Sequence, residues 1–68
     1  MRLVINGEDN QFQDVTSVSS LVERLGLKAD RLAIELNRDI VPRARWKETP
    51  LQDGDKLEIV HFVGGGGI

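Results

Sequence analysis

Apolar and polar residues alternate in short runs along this chain, and at one place they recur at a helical spacing instead. Arg2-Leu3-Val4-Ile5-Asn6 puts Leu3 and Ile5 on one face of a strand and Arg2 and Val4 on the other. The run stops at Asn6-Gly7, a pair suited to a tight hairpin turn. A weak return strand is expected around Gln11-Phe12-Gln13, anchored by Phe12. Thr16-Ser17 then supplies a helix N-cap. Val18, Leu21, Val22 and Leu25 follow at i, i+3, i+4 and i+7, one apolar stripe, and Gly26 stands where a left-handed C-cap residue belongs. A helix of about two turns is too short to stand alone, so its stripe must pack on a sheet.

The second half returns to alternation. Leu32-Ala33-Ile34-Glu35-Leu36 sets Leu32, Ile34 and Leu36 against Ala33 and Glu35. Asn37-Arg38-Asp39 reads as a turn, and Ile40-Val41 as a short return strand stopped by Pro42, which cannot donate to a ladder. Arg43 to Glu48 reads as loop or one irregular turn, and Asp53-Gly54-Asp55 as a turn. Lys56 to Val63 forms the last strand, with Leu57, Ile59 and Val63 on one phase and Val60 and Phe62 on the other. The right-handed crossover rule then places the first and last long strands side by side and parallel. The expected fold is α+β: a mixed four- to five-stranded sheet with one helix packed across one face, the β-grasp arrangement. A final strand apolar on both phases suits the centre of that sheet. The uncovered face would show Val4, Val60 and Phe62.

Composition narrows the function. A chain of 68 residues is a single small domain, near the size at which one core barely suffices. There is no cysteine, so neither disulfides nor thiolate metal sites hold it. The net charge of −2, with both signs interspersed, gives no basic footprint for a nucleic-acid partner. No apolar run approaches the ~20 residues of a membrane span. A cytoplasmic protein without nucleic-acid or membrane partners is expected.

Little in the chain carries chemistry. His61 is the only histidine and has no metal-ligand partners at usable spacing. Asp53 and Asp55 flank Gly54 as a turn does, although two carboxylates so placed could also act as a pair. Trp46 is expected to cover a core edge, with a partner surface as its other reading. The glycines after the last strand are followed by no helix and no lysine, so they cradle no phosphate. The chain is not read as an enzyme.

Gly64-Gly65-Gly66-Gly67-Ile68 is different. Bare backbone adds nothing to a core and costs entropy to order, roughly 1–2 kcal/mol per residue. Residues 1–63 are therefore expected to form the β-grasp domain and 64–68 a flexible glycine-rich C-terminal tail. A tail without side chains can enter a channel too narrow for any other sequence. A plain end piece or a cloning remnant is its other reading.

Val41-Pro42-Arg43, Trp46, Leu51-Gln52-Asp53-Gly54-Asp55 and Glu58-Ile59-Val60-His61-Phe62-Val63-Gly64-Gly65-Gly66, in that order, resemble the ThiS sulfur carriers of thiamin biosynthesis. The resemblance is strongest from about Ala33 to Gly66. It implies a ubiquitin-like carrier that binds no cofactor and is acted on by other enzymes. A ThiF-type adenylating enzyme would use ATP and magnesium to activate the C-terminal glycine carboxylate. A cysteine-desulfurase relay would supply the sulfur that makes it a thiocarboxylate. A ThiG-type thiazole synthase would accept that sulfur. On this sequence the attachment point falls at Gly66 and Gly67. Strand phase offers Val60 and Phe62 as the partner-binding patch, with Gly64 and Gly65 as the threaded residues. The family pattern ends in Gly-Gly, and Ile68 departs from it. Either a peptidase removes Ile68, or the last residues are an addition, or charging differs here. A MoaD-type subunit of molybdopterin synthase shares fold and tail, but the Val-Pro-Arg…Trp segment favours ThiS. A non-covalent β-grasp interaction module and isopeptide conjugation are the remaining alternatives.

Overall fold

Asn6 and Gly7 both adopt positive φ, 50° and 84°, which a two-residue hairpin turn requires and which these two residue types tolerate. They join β1 (Arg2–Ile5) to β2 (Glu8–Gln11) in an antiparallel pair running from Ile5 opposite Glu8 to Arg2 opposite Gln11. The computed structural model describes residues 1–61; Phe62, Val63 and the predicted tail 64–68 lie outside the described residues. The return strand comes earlier than the pattern predicts. Turn length sets its register, so Glu8 is the first paired residue although β2 has no apolar side chain. Phe12 lies just past the strand and turns into the core, 8% exposed.

The helix α1 (Val18–Leu25) forms as predicted. Ser17 is extended; its Oγ accepts from the Ser20 amide at 3.1 Å, and the Ser20 Oγ accepts from the Ser17 amide at 2.9 Å. This is a capping box with serine in the position more often held by Glu or Gln. Gly26 closes the helix at φ 71°. Val18, Leu21 and Val22 are buried, whereas Leu25 in the last turn remains 37% exposed. Ser17→Ala should lower the unfolding free energy by about 1 kcal/mol, read as a lower urea midpoint with unchanged slope.

A 3₁₀ turn at Ala29–Arg31, which the pattern does not signal, leads into β3 (Leu32–Leu36). Asn37 and Arg38 then make a second two-residue turn with both φ positive, 50° and 77°. Consequently β4 is Asp39–Ile40 and not Ile40-Val41: Leu36 pairs with Asp39 and Glu35 with Ile40. Val41 falls just beyond β4, buried, its amide still donating to the Ile34 carbonyl at 2.9 Å. The segment read as loop or one irregular turn is a six-residue 3₁₀ helix, Arg43–Glu48. It carries Trp46 into the core at 4% exposure, where the indole Nε1–H donates to the Val41 carbonyl at 2.9 Å. The core-edge reading of Trp46 therefore holds.

The last strand, β5, is described over Lys56–His61. It runs parallel to β1 and antiparallel to β3, giving a mixed five-stranded sheet in the order β2-β1-β5-β3-β4. Leu3, Ile34 and Leu57 from the three central strands meet Val18 and Leu21 of α1, and all five are essentially fully buried. The expected β-grasp architecture is present, with β5 at its centre. One detail differs. The uncovered phase of β5 is Lys56, Glu58 and Val60, all exposed, so it is not uniformly apolar. The helix covers one face only, and only the Leu57/Ile59 phase has to exclude water.

Candidate functional site

β5 is described as far as His61, and the surroundings of that end define the candidate site. Before that end, the Asp53-Gly54-Asp55 turn fixes where β5 begins. Asp53 Oδ1 accepts from the Arg2 amide at 2.6 Å, and the Gly54 amide donates to the Arg2 carbonyl at 2.7 Å. Asp55 Oδ2 accepts from the Gln52 amide at 2.8 Å, and its Oδ1 accepts from Asn37 Nδ2 at 3.1 Å. Both carboxylates are committed to holding this turn to the start of β1 and to the β3–β4 turn. The turn reading is the one the geometry supports.

On the uncovered face, Val60 is 56% exposed and lies opposite Ala33 of β3, which is also exposed. One row back, Glu35 and Glu58 face each other, with Ile40 of β4 beside Glu35 and 74% exposed. Glu35, Glu58, Asn37, Arg38 and Lys56 line a shallow recess of about 370 Å³. Val4 is on the same face but is paired with Lys56, four residues before Val60. At roughly 3.3 Å per residue that is about 13 Å along the strand. Val4 and Val60 therefore do not form one patch, and the apolar residue directly opposite Val60 is Ala33 of β3. Phase within one strand shows which face a residue takes. It does not show which residue of the next strand stands beside it. Phe62, Gly64, Gly65, Gly66 and Gly67 lie outside the described residues.

The helix-covered side of the strand end is also partly open. Ile5, Leu25, Leu27, Leu32 and Ile59 line a groove of about 330 Å³ whose rim carries Asn6 and His61. His61 is exposed and opposite Leu32, in keeping with a surface strand residue. Asn6 has a more specific place. Its Oδ1 accepts from the Ile59 amide at 2.8 Å, and its Nδ2 donates to the Ile59 carbonyl at 3.2 Å. Backbone pairing of β1 with β5 covers Val4–Lys56 and Ile5–Leu57, and the Asn6 side chain takes the next position in that ladder. The sequence showed Asn6 only as a turn residue; its second role depends on a strand 53 positions away.

Among the described residues no three His, Cys, Asp or Glu side chains are grouped as a metal site, and no helix is long and apolar enough to cross a membrane. All side-chain polar atoms buried in the described residues have hydrogen-bond partners.

A sequence model of the ThiS family matches residues 3–66. The sulfur carrier protein ThiS of Bacillus subtilis is 37% identical over 65 residues, covering 94% of this chain and 98% of that protein. A thiazole synthase of Paramagnetospirillum magneticum is 46% identical over 66 residues, covering 97% of this chain. The chain spans only about a fifth of the length of the thiazole synthases it matches. The crystal structure of a thiamine biosynthesis protein (ThiS) from Geobacter metallireducens superposes with a TM-score of 0.82 at 32% identity, over 97% of this chain and all of that one.

Proposed function

The chain belongs to the ThiS family, and from that premise we propose that it is a cytoplasmic sulfur carrier for thiamin biosynthesis, charged at a C-terminal glycine. The observation that carries this reading is the match through residue 66, which includes the glycines that follow β5. In this reading residues 1–63 are the handle and 64–68 the arm. The carrier supplies no catalytic group; it supplies a carboxylate in a form a partner can reach. A carboxylate is a poor electrophile. A ThiF-type enzyme, using ATP and magnesium, joins one carboxylate oxygen to the α-phosphate and releases pyrophosphate, leaving an acyl-adenylate. A sulfur nucleophile from a cysteine-desulfurase relay then attacks the acyl carbon and AMP departs. When that nucleophile is the outer sulfur of a persulfide, the first product is an acyl disulfide; a second thiol then attacks the donor's sulfur, forms a disulfide with it and releases the thiocarboxylate.

Ordering four glycines costs several kcal/mol at roughly 1–2 kcal/mol each. Docking of the folded handle has to offset that cost. Val60 with Ala33, and Phe62 beyond the described strand, are the proposed docking patch; Gly64 and Gly65 are threaded, and Gly66 and Gly67 carry the reacting end. A ThiG-type thiazole synthase is the proposed sulfur acceptor. Its support is that thiazole synthases about five times the length of this chain contain a segment similar to nearly all of it.

The test is intact-mass analysis after incubation of a chain ending at Gly67 with the ThiF-type enzyme of the same host, ATP, magnesium and a sulfide source. Exchange of one oxygen for sulfur at the C-terminus is expected. An unchanged mass, with the enzyme active on its own carrier, would exclude the sulfur-carrier role.

A further inference from the structure

The Asn6 side chain occupies the ladder position that β1 leaves vacant, and it does so at Ile59, two residues before the last described residue of β5. We propose that Asn6 is a positioning residue for the charging reaction: its amide holds the root of the arm to the sheet and fixes the direction in which the arm leaves. This inference rests on the carrier reading above.

Three observations lead to it. First, β5 is held on its β3 side up to the Ala33–Val60 and Leu32–His61 pairs. On its β1 side backbone pairing stops at Leu57, and among the described residues only Asn6 reaches Ile59. Second, the contact is reciprocal. One amide group accepts from the Ile59 N–H and donates to the Ile59 carbonyl, so a single side chain satisfies both backbone groups that Ile59 turns toward β1. Third, Asn6 sits at φ 50°, so the turn that ends β1 is also what aims the side chain across at β5. Glycine would serve that turn equally well but could not make the bonds.

The molecule supplies its own control. Asn37 also lies in a left-handed turn at φ 50°, and its Oδ1 accepts from the Lys56 amide at 3.1 Å. It therefore supports β5 in the same manner, at the end remote from the arm. Both backbone amides donate to β5 carbonyls as well, Asn6 to Leu57 and Asn37 to Lys56, and both bonds survive a change to glycine.

Asn6→Gly and Asn37→Gly should thus cost similar stability but differ in function. In adenylation by the ThiF-type enzyme, measured below both unfolding transitions on proteins ending at Gly67, kcat/KM should fall about tenfold for Asn6→Gly, the scale of two lost hydrogen bonds. It should stay within about twofold of the unsubstituted protein for Asn37→Gly. Asn6→Asp, which keeps the acceptor for the Ile59 amide, should recover part of the loss. Amide exchange supplies a readout that does not depend on charging: Val60 should exchange faster in Asn6→Gly and not in Asn37→Gly. Equal losses in the two glycine variants would make Asn6 merely structural and overturn the proposal. Unchanged Val60 exchange in Asn6→Gly would overturn it whatever the charging assay shows. An unsubstituted protein that is never charged, with the Val60 difference intact, would sink the carrier reading while leaving the root clamp in place.

Discussion

A protein ending at Val63 should unfold at the same urea concentration as one ending at Gly67 and yet form no acyl-adenylate at all. The described core is built from residues between Leu3 and Leu57, so removing the glycines takes no apolar surface out of it. The proposed chemistry, by contrast, needs a carboxylate able to travel into the partner's site, and a carboxylate on Val63 would lack the glycine arm that carries it there. A protein ending at Ile68 should fall between these limits, with adenylation at least tenfold slower than for the Gly67 form. The argument is steric. A channel shaped around bare backbone has no room for a β-branched side chain beside the reacting carbon, and a misplacement of about 1 Å can cost a hundredfold in rate. ATP–pyrophosphate exchange on the three proteins checks all of this together. Equal rates for the Gly67 and Ile68 forms would remove Gly67 as the working end. Full activity of the Val63 form would remove the arm from the mechanism, and a plain interaction module would then be the better description.

Much of the architecture is legible in the residues, and where it is not, the reason is physical. The Asn6-Gly7 turn, the Ser17 cap, the Val18/Leu21/Val22 stripe and the Gly26 stop are local signals, decided within a few residues. The parallel pairing of β1 and β5 follows from handedness once a helix lies between the hairpin and the later strands. Strand ends were harder to read because turns set them. Two-residue turns at Asn6-Gly7 and Asn37-Arg38 advance the register, so β2 begins at polar Glu8 and β4 at Asp39. The 3₁₀ helix at Arg43–Glu48 carries one core residue, Trp46, and one buried side chain sets no periodicity to detect.

The site was legible in a different way. Alternation places Val60 on the uncovered face, but its partner Ala33 depends on a register between strands that no local pattern contains. Asn6 is the plainest case. The turn alone already accounts for an asparagine at that position. Only the fold brings it to Ile59. That the DGD turn proved structural fits the same division. Its carboxylates accept from the Arg2 and Gln52 amides and from the Asn37 side chain.

The largest stability effect should come from Trp46→Ala. Cutting a buried tryptophan to alanine costs about 3–5 kcal/mol in well-packed cores. A 68-residue domain at 0.05–0.15 kcal/mol per residue has only ~3–10 kcal/mol to lose. The substitution should therefore leave the domain marginal or unfolded at 25 °C. Two effects combine. Loss of the indole opens a cavity beside α1, against which the 3₁₀ helix packs, and it strands the Val41 carbonyl, whose side-chain partner was Nε1–H. Trp46→Phe separates them, because it keeps most of the apolar area and removes only the hydrogen bond. It should cost about 1–3 kcal/mol, the penalty for an unsatisfied buried acceptor. Urea unfolding followed by far-UV circular dichroism checks both, since removing the only tryptophan also removes the usual fluorescent probe. A Trp46→Ala protein within about 1 kcal/mol of the unsubstituted one would mean that the 3₁₀ helix is a surface flap, and that the core closes without it.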